Sequence, residues 1–282
     1  MRTRGFTLVE LSIVLVILAL LAGSMFAISS AMMNVQRGET TRAKLAAVDA
    51  ALVSFVALNK RLPCPANGTL MTGAEVFGTE SDPCANQANG VVPWLVLGLA
   101  ASDIEDGWGT RITYRLDPYL ARKGAMDMSL CDPAGTILIA PSDGNTPPRN
   151  TCGLAGACSA TNLSQCVTPT QFLSTKGLAI RNAVGGTVLM DPTLTPSTGA
   201  AYILISHGEN RSGGYSDSGF LLAATTAGEG TNETQNRADT SLAYYVDAPQ
   251  RFTTDATRFD DYVLRPSIIS IIQRASLGPR TH

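Results

Sequence analysis

GFTLVELSIVLVILALLAGSMFAI, residues 5–28, is the stretch on which the rest of the chain depends. It follows a short basic leader holding Arg2 and Arg4, and from Leu11 to Ile28 only Ser12, Gly23 and Ser24 interrupt the apolar side chains. At 1.5 Å per residue such a run covers most of the apolar thickness of a bilayer. The arginines keep the leader cytoplasmic under the positive-inside rule, which sends the bulk of the chain to the other side. Glu10 is out of place in this setting. A carboxylate in a membrane segment costs about 2.5–3.5 kcal/mol on insertion scales, so an acid at the lip of the run calls for a cationic partner. Cutting the chain between Gly5 and Phe6 creates one, because the new amine on Phe6, with an ordinary pKa of about 8, can meet Glu10 of an adjacent copy.

With basic leader, Gly5, Phe6 and Glu10 in this order, the segment resembles the class III signal of type IV prepilins and pseudopilins. The resemblance implies cleavage after Gly5 by a prepilin peptidase, N-methylation of Phe6 by the same enzyme, and use of Glu10 to register each subunit in a filament. A secretory signal cut near Ser24–Ala27, or an unprocessed anchor, leaves Glu10 without a role. The expected organisation is a cleaved leader at 1–5, a transmembrane or filament-core helix at 6–29, its amphipathic continuation at 30–62 and a periplasmic head at 63–282. The partners implied are the prepilin peptidase, other pilins or pseudopilins in a filament, and an inner-membrane assembly platform.

No proline occurs between Ile28 and Pro63, so the helix is expected to continue. Leu45, Val48, Leu52 and Val56 recur at helical spacing, with Arg42, Lys44, Asp49 and Asn59 marking the opposite side. Gly23 and Gly38 are the expected bend points, and Leu62-Pro63 ends the helix. The whole element is roughly 75–80 Å long. The fold class is α+β: a pilin-like long helix packed on an antiparallel sheet with elaborated, disulfide-bearing loops.

The Pro/Gly/Asn-rich segment 63–90 reads as a loop. Asp106-Gly107-Trp108-Gly109 reads as a turn into a strand at Ile112–Leu116, with positive φ expected at both glycines and Trp108 as an apolar anchor. Further strands are expected at Ile137–Ile139, Thr187–Met190, Ala201–Ser206, Leu242–Val246 and Asp261–Arg265, in antiparallel pairing, while Gly228–Asp239 reads as polar and mobile. Cys64, Cys84, Cys131, Cys152, Cys158 and Cys166 all follow the apolar run, which suits an oxidising compartment and three disulfides. About fifteen pairings are open. No C-x-x-C pair supports a zinc site.

The net charge of −2 with scattered arginines gives no field for bulk nucleic-acid binding. Only His207 and the terminal His282 could serve as histidine bases, and Ser206 beside His207 on a strand points to the opposite face, so no catalytic residue is assigned and the chain is read as a non-enzyme. The segment Ser206–Gly214, with Asp260-Asp261 downstream, resembles the S-x-G-x-[DN]…GG loop and following acidic segment of major pseudopilins and many minor pilins, which can hold calcium. The resemblance makes Glu209, Asn210, Asp217, Asp260 and Asp261 the candidate hard oxygen donors for Ca²⁺. The function expected is that of a minor pilin or other filament subunit, with a type II secretion pseudopilin or a filament-tip module that binds DNA or a surface ligand as alternatives.

Overall fold

The computed structural model describes residues 8–81, 84, 88–129, 131, 168–223, 228–237 and 243–280, with backbone alone over 22–31. Helix α1 runs from Leu8 to Asn59 without a break, through Gly23 and Gly38 alike. Gly38 is a packing residue instead of a hinge, since a Cβ there would lie 2.5 Å from the Tyr262 hydroxyl. The helix ends at Asn59; Lys60 takes a positive φ, and Leu62-Pro63 leads into the head.

Leu45, Val48, Leu52 and Val56 are all buried, as their spacing requires. Asp49 departs from the expected solvent face. Its carboxylate accepts from the Tyr202 hydroxyl at 2.5 Å and from Arg274 Nη2 at 2.5 Å, so a buried acid ties α1 to the head.

The strands are β1 (Ala66–Asn67), β2 (Gly90–Val91), β3 (Thr113–Leu116), β4 (Ile180–Arg181), β5 (Val188–Met190), β6 (Tyr202–Ser206), β7 (Tyr245–Val246) and β8 (Tyr262–Leu264). Among the described residues, α2 (Pro169–Leu173) and α3 (Thr231–Asn236) lie between strands and α4 (Ile268–Arg274) follows β8. A five-stranded sheet has the order β1-β2-β3-β6-β8 and is antiparallel throughout. A three-stranded sheet has the order β5-β4-β7, and there β4 pairs with β7 in parallel, contrary to the all-antiparallel expectation. The expected strand at Ile137–Ile139 lies outside the described residues.

Strand β6 explains how the layers stack. Successive side chains of a strand point to opposite faces. Tyr202 and Leu204 join the core shared with α1 and α4, while Ile203 and Ile205 join a second core with Ile180, Met190 and Tyr245 of the smaller sheet. A strand covered on both faces reads as a continuous apolar run, which is what Ala201–Ile205 is. The head therefore stacks α1, the larger sheet and the smaller sheet in that order.

The described residues of segment 63–90 are held by more than a loop composition suggests. Cys64 and Cys84 form a disulfide with Cα atoms 4.8 Å apart. Arg61 grips Glu80 with two hydrogen bonds of 2.8 and 2.7 Å, and Glu80 also accepts from the Cys64 amide at 3.0 Å. Cys131 is disulfide-bonded as well; Cys152, Cys158 and Cys166 lie outside the described residues.

Candidate functional site

The turn at Asp106 is built from its carboxylate. One oxygen accepts from the Trp108 and Thr110 amides at 2.9 and 2.8 Å, and the other from the Ser206 hydroxyl at 2.6 Å. Burial raises the Asp106 pKa, against the pull of these donors. Gly109 has the expected positive φ, whereas Gly107 is needed because a Cβ would collide with the Arg37 carbonyl of α1. Trp108 lies against Tyr262, with ring centroids 5.6 Å apart.

Strand β6 ends beside this turn and releases the loop that begins at His207. Gly208 takes a φ of +58°, and its missing side chain lets the loop press against the Asp260 backbone. Across from it, α3 presents Glu233, which is 1% exposed. Within the segment 228–239 expected to be polar and mobile, Thr231–Asn236 is thus a helix with a buried acid, held because Glu233 accepts from the Gly230, Asp260 and Asn210 donors at 2.8, 2.8 and 2.9 Å.

Glu233, Asp260 and Asp261 bring carboxylate oxygens within 4.8 Å of one another, all buried. Arg258 supplies one guanidinium, 2.6 Å from Asp260 and 3.9 Å from Glu233. Asn236 donates to Asp261 at 2.8 Å. His207 is fully buried; its Nε2 lies 2.9 Å from the Thr113 hydroxyl and its Nδ1 4.0 Å from Asp261. Burial raises the Asp260 pKa to about 6 despite Arg258, and burial drives Asp261 well above the ordinary carboxylate range. One oxygen each of Asp260 and Asp261 is buried without a hydrogen-bond partner among the described residues.

The donor set expected from the resemblance is therefore rearranged. Asp260 and Asp261 come together. Asn210 adjoins them, but its side-chain oxygen accepts from the Ser212 amide at 2.8 Å and its amide nitrogen donates to Glu233. Glu209 stays at the surface, taking a hydrogen bond from Asn34 at 3.0 Å and facing Arg258 at 3.6 Å. Asp217 belongs to another exposed turn, where its backbone carbonyl is held by Thr72 and Arg111. Glu233 takes the place these two were expected to fill. Its one sequence signal is a position three residues after Gly230, the spacing at which a glutamate reaches back to the first amide of a helix. Ser206 and His207 serve different partners, Asp106 and Thr113, as their opposite faces require.

At the other end of the molecule, Glu10 sits in the first turn of α1 and every described side chain from Leu8 to Leu21 is exposed. Gly5 and Phe6 lie outside the described residues. Among the described residues no helix is long and apolar enough to cross a membrane; the described side chains of the apolar run stop at Leu21, short of the ~20 residues a span takes. Residues 1–26 match the family described as the prokaryotic N-terminal methylation motif. The chain carries the type IV pilin-type signal. No curated protein and no solved structure matches it. The motif covers the leader and the start of α1, and the head stands on its own geometry.

Proposed function

We propose that this protein is a minor pilin, a structural subunit held in the bacterial inner membrane by residues 6–29 with its head in the periplasm. It is cut after Gly5, methylated at Phe6 and drawn into a filament through α1. The observation that carries this reading is the methylation motif on an unbroken helix whose described side chains from Leu8 to Leu21 are all exposed while one face of its far half, with Leu45, Val48, Leu52 and Val56, is buried in the head. In the assembled state Glu10 pairs with the Phe6 amine of a neighbour, which offsets the cost of placing a carboxylate in an apolar layer. Replacing Gly5 with leucine is expected to leave full-length precursor on intact-mass analysis. Replacing Glu10 with alanine is expected to leave cleaved protein that is absent from sheared filaments. A Glu10→Ala protein recovered in filaments at the wild-type level contradicts the pairing.

A pseudopilin is the alternative reading, and under either one the buried acids beside the β6 loop favour a cation site in the head. Three carboxylates against one guanidinium leave a surplus of negative charge out of water, which calls for protons or a cation. The oxygens of Asp260 and Asp261 that accept no hydrogen bond among the described residues suit a hard divalent ion such as Ca²⁺, held by Glu233, Asp260 and Asp261. The cation would fasten α3 and the start of β8 to the loop after β6. Thermal denaturation is expected to shift upward in calcium relative to chelator, and Glu233→Gln is expected to abolish the shift. An unchanged melting temperature in calcium rules the ion out.

A further inference from the structure

Where α1 enters the head, side chains from separate parts of the chain enclose a cavity of about 400 Å³, within the ~300–1,000 Å³ range of small-ligand sites. Its aromatic walls come from Trp108, Tyr262 and Phe252, the last 60% exposed on its loop. Val35 of α1, also largely exposed, extends the apolar side. Planar polar groups complete the lining: Asn34 and Arg42 from α1, Glu209 from the loop after β6, and Gln250.

The charges among these groups are matched from inside the chain. Arg42 lies 5.0 Å over the Tyr262 ring and pairs with Glu39 at 2.5 Å. Glu209 accepts from Asn34 at 3.0 Å and faces Arg258 at 3.6 Å. An anionic ligand finds Arg42 already paired with Glu39, and a cationic one finds Glu209 with one oxygen bonded to Asn34 and the other turned to Arg258. This disfavours a nucleic-acid phosphate and a phospholipid headgroup, both of which need an uncompensated partner. A purely aliphatic ligand fits poorly for the opposite reason, because it strips water from four polar side chains without replacing their hydrogen bonds.

What remains is a neutral molecule with apolar faces and a rim of groups that both donate and accept. A pyranose has this form: its C–H faces lie against aromatic rings, and its hydroxyls meet amide, guanidinium and carboxylate groups. We infer that the cavity between α1, the Asp106–Thr110 turn and β8 is a binding site for a neutral saccharide. The site adjoins the buried acids, since Arg258 faces both Glu209 and Asp260 and Gln250 donates to the Asp261 carbonyl, but the inference does not use them.

Trp108 provides the probe, since the chain has two tryptophans and the other, Trp94, packs elsewhere against Phe77 at 6.2 Å. Full-length protein with Trp94→Phe, in lipid nanodiscs to avoid glycoside detergents, is titrated with neutral hexoses, N-acetylhexosamines and their disaccharides up to roughly 50 mM, the range in which weak sugar sites saturate. The expected result is a saturable change in Trp108 emission with at least one sugar, weakened about tenfold or more by Phe252→Ala and by Gln250→Ala, a loss of ~1.4 kcal/mol. Phe252 is exposed and Gln250 half-buried, its amide donating to the Asp261 carbonyl at 3.5 Å, and unchanged circular dichroism and melting temperature confirm that both variants fold. The inference is overturned if no sugar gives a saturable change, if the variants bind as tightly as the parent, or if Trp108 responds to a single-stranded oligonucleotide or short-chain phosphatidylcholine and to no sugar.

Discussion

The two halves of α1 belong to one helix and face opposite surroundings. From Leu8 to Leu21 every described side chain is exposed, including Leu15 at 57%, whereas Val48, Leu52 and Val56 have no exposure at all. Intrinsic helix propensity differs little between leucine-rich and alanine-rich segments, so backbone preference does not separate the halves. Their partners do. The far half finds its apolar surface in β3, β6 and α4, and its polar anchor in the Asp49–Tyr202–Arg274 network. The described apolar side chains of the near half, from Leu8 to Leu21, are exposed instead, which is the signature of a surface meant for lipid or for other subunits.

That contrast is sharpest for two leucines. Leu52→Ala is expected to cost the head about 2–5 kcal/mol through the cavity it leaves. Leu15→Ala is expected to change head stability by less than about 0.5 kcal/mol, as for other surface positions. Denaturant unfolding followed by Trp fluorescence reads both, and equal losses at the two sites would erase the distinction.

A smaller effect is expected where the buried half hands over to the disulfide loop. Glu80→Gln replaces the charged partner of Arg61 and is expected to cost about 1–2 kcal/mol at neutral pH. The Arg61 hydrogen bonds hold the Glu80 pKa below its ordinary 4.5. The stabilisation is therefore fully present above the unfolded value and is lost as pH falls through the folded one. Melting temperatures of parent and variant are expected to differ at pH 7 and to converge at acid pH; a gap that widens on acidification contradicts the assignment.

A smaller net effect than at Glu80 is expected at Gly38, on the boundary of the two halves. Alanine gains about 1 kcal/mol of helix propensity but its Cβ meets the Tyr262 hydroxyl, which Trp108 and Arg42 flank. Gly38→Ala is expected to be destabilising by about 0.5–1 kcal/mol, and adding Tyr262→Phe to turn it stabilising. A stabilising single variant would mean that the ring yields freely.

Much of this architecture is legible in the chain because long patterns carry it. The stripe Leu45–Val56, the two-sided run Ala201–Ile205 and the single carboxylate at Glu10 each stand out against their neighbours. The two-residue strands β1, β2 and β4 do not, since a period of two cannot show in two residues. Helix α4 has an N-cap, Ser267, whose side chain accepts from the Ser270 amide, but its short apolar run is as consistent with a strand. The buried acid Glu233 is hidden for another reason. Thr231–Asn236 is wholly polar, and its burial depends on donors supplied by Asn210, Gly230 and Asp260, two of them distant in sequence. Asp49 is similar, placed on the expected wet side by periodicity and drawn inward by Tyr202 and Arg274.

The central claim is that the exposed half of α1 is a processed assembly surface. Its most direct test is mass analysis of the N-terminal peptide of the mature protein from cells that contain a prepilin peptidase. The account predicts a chain beginning at Phe6 with its amine methylated. A chain that begins at Met1, or one cut after the apolar run near Ala27, contradicts it.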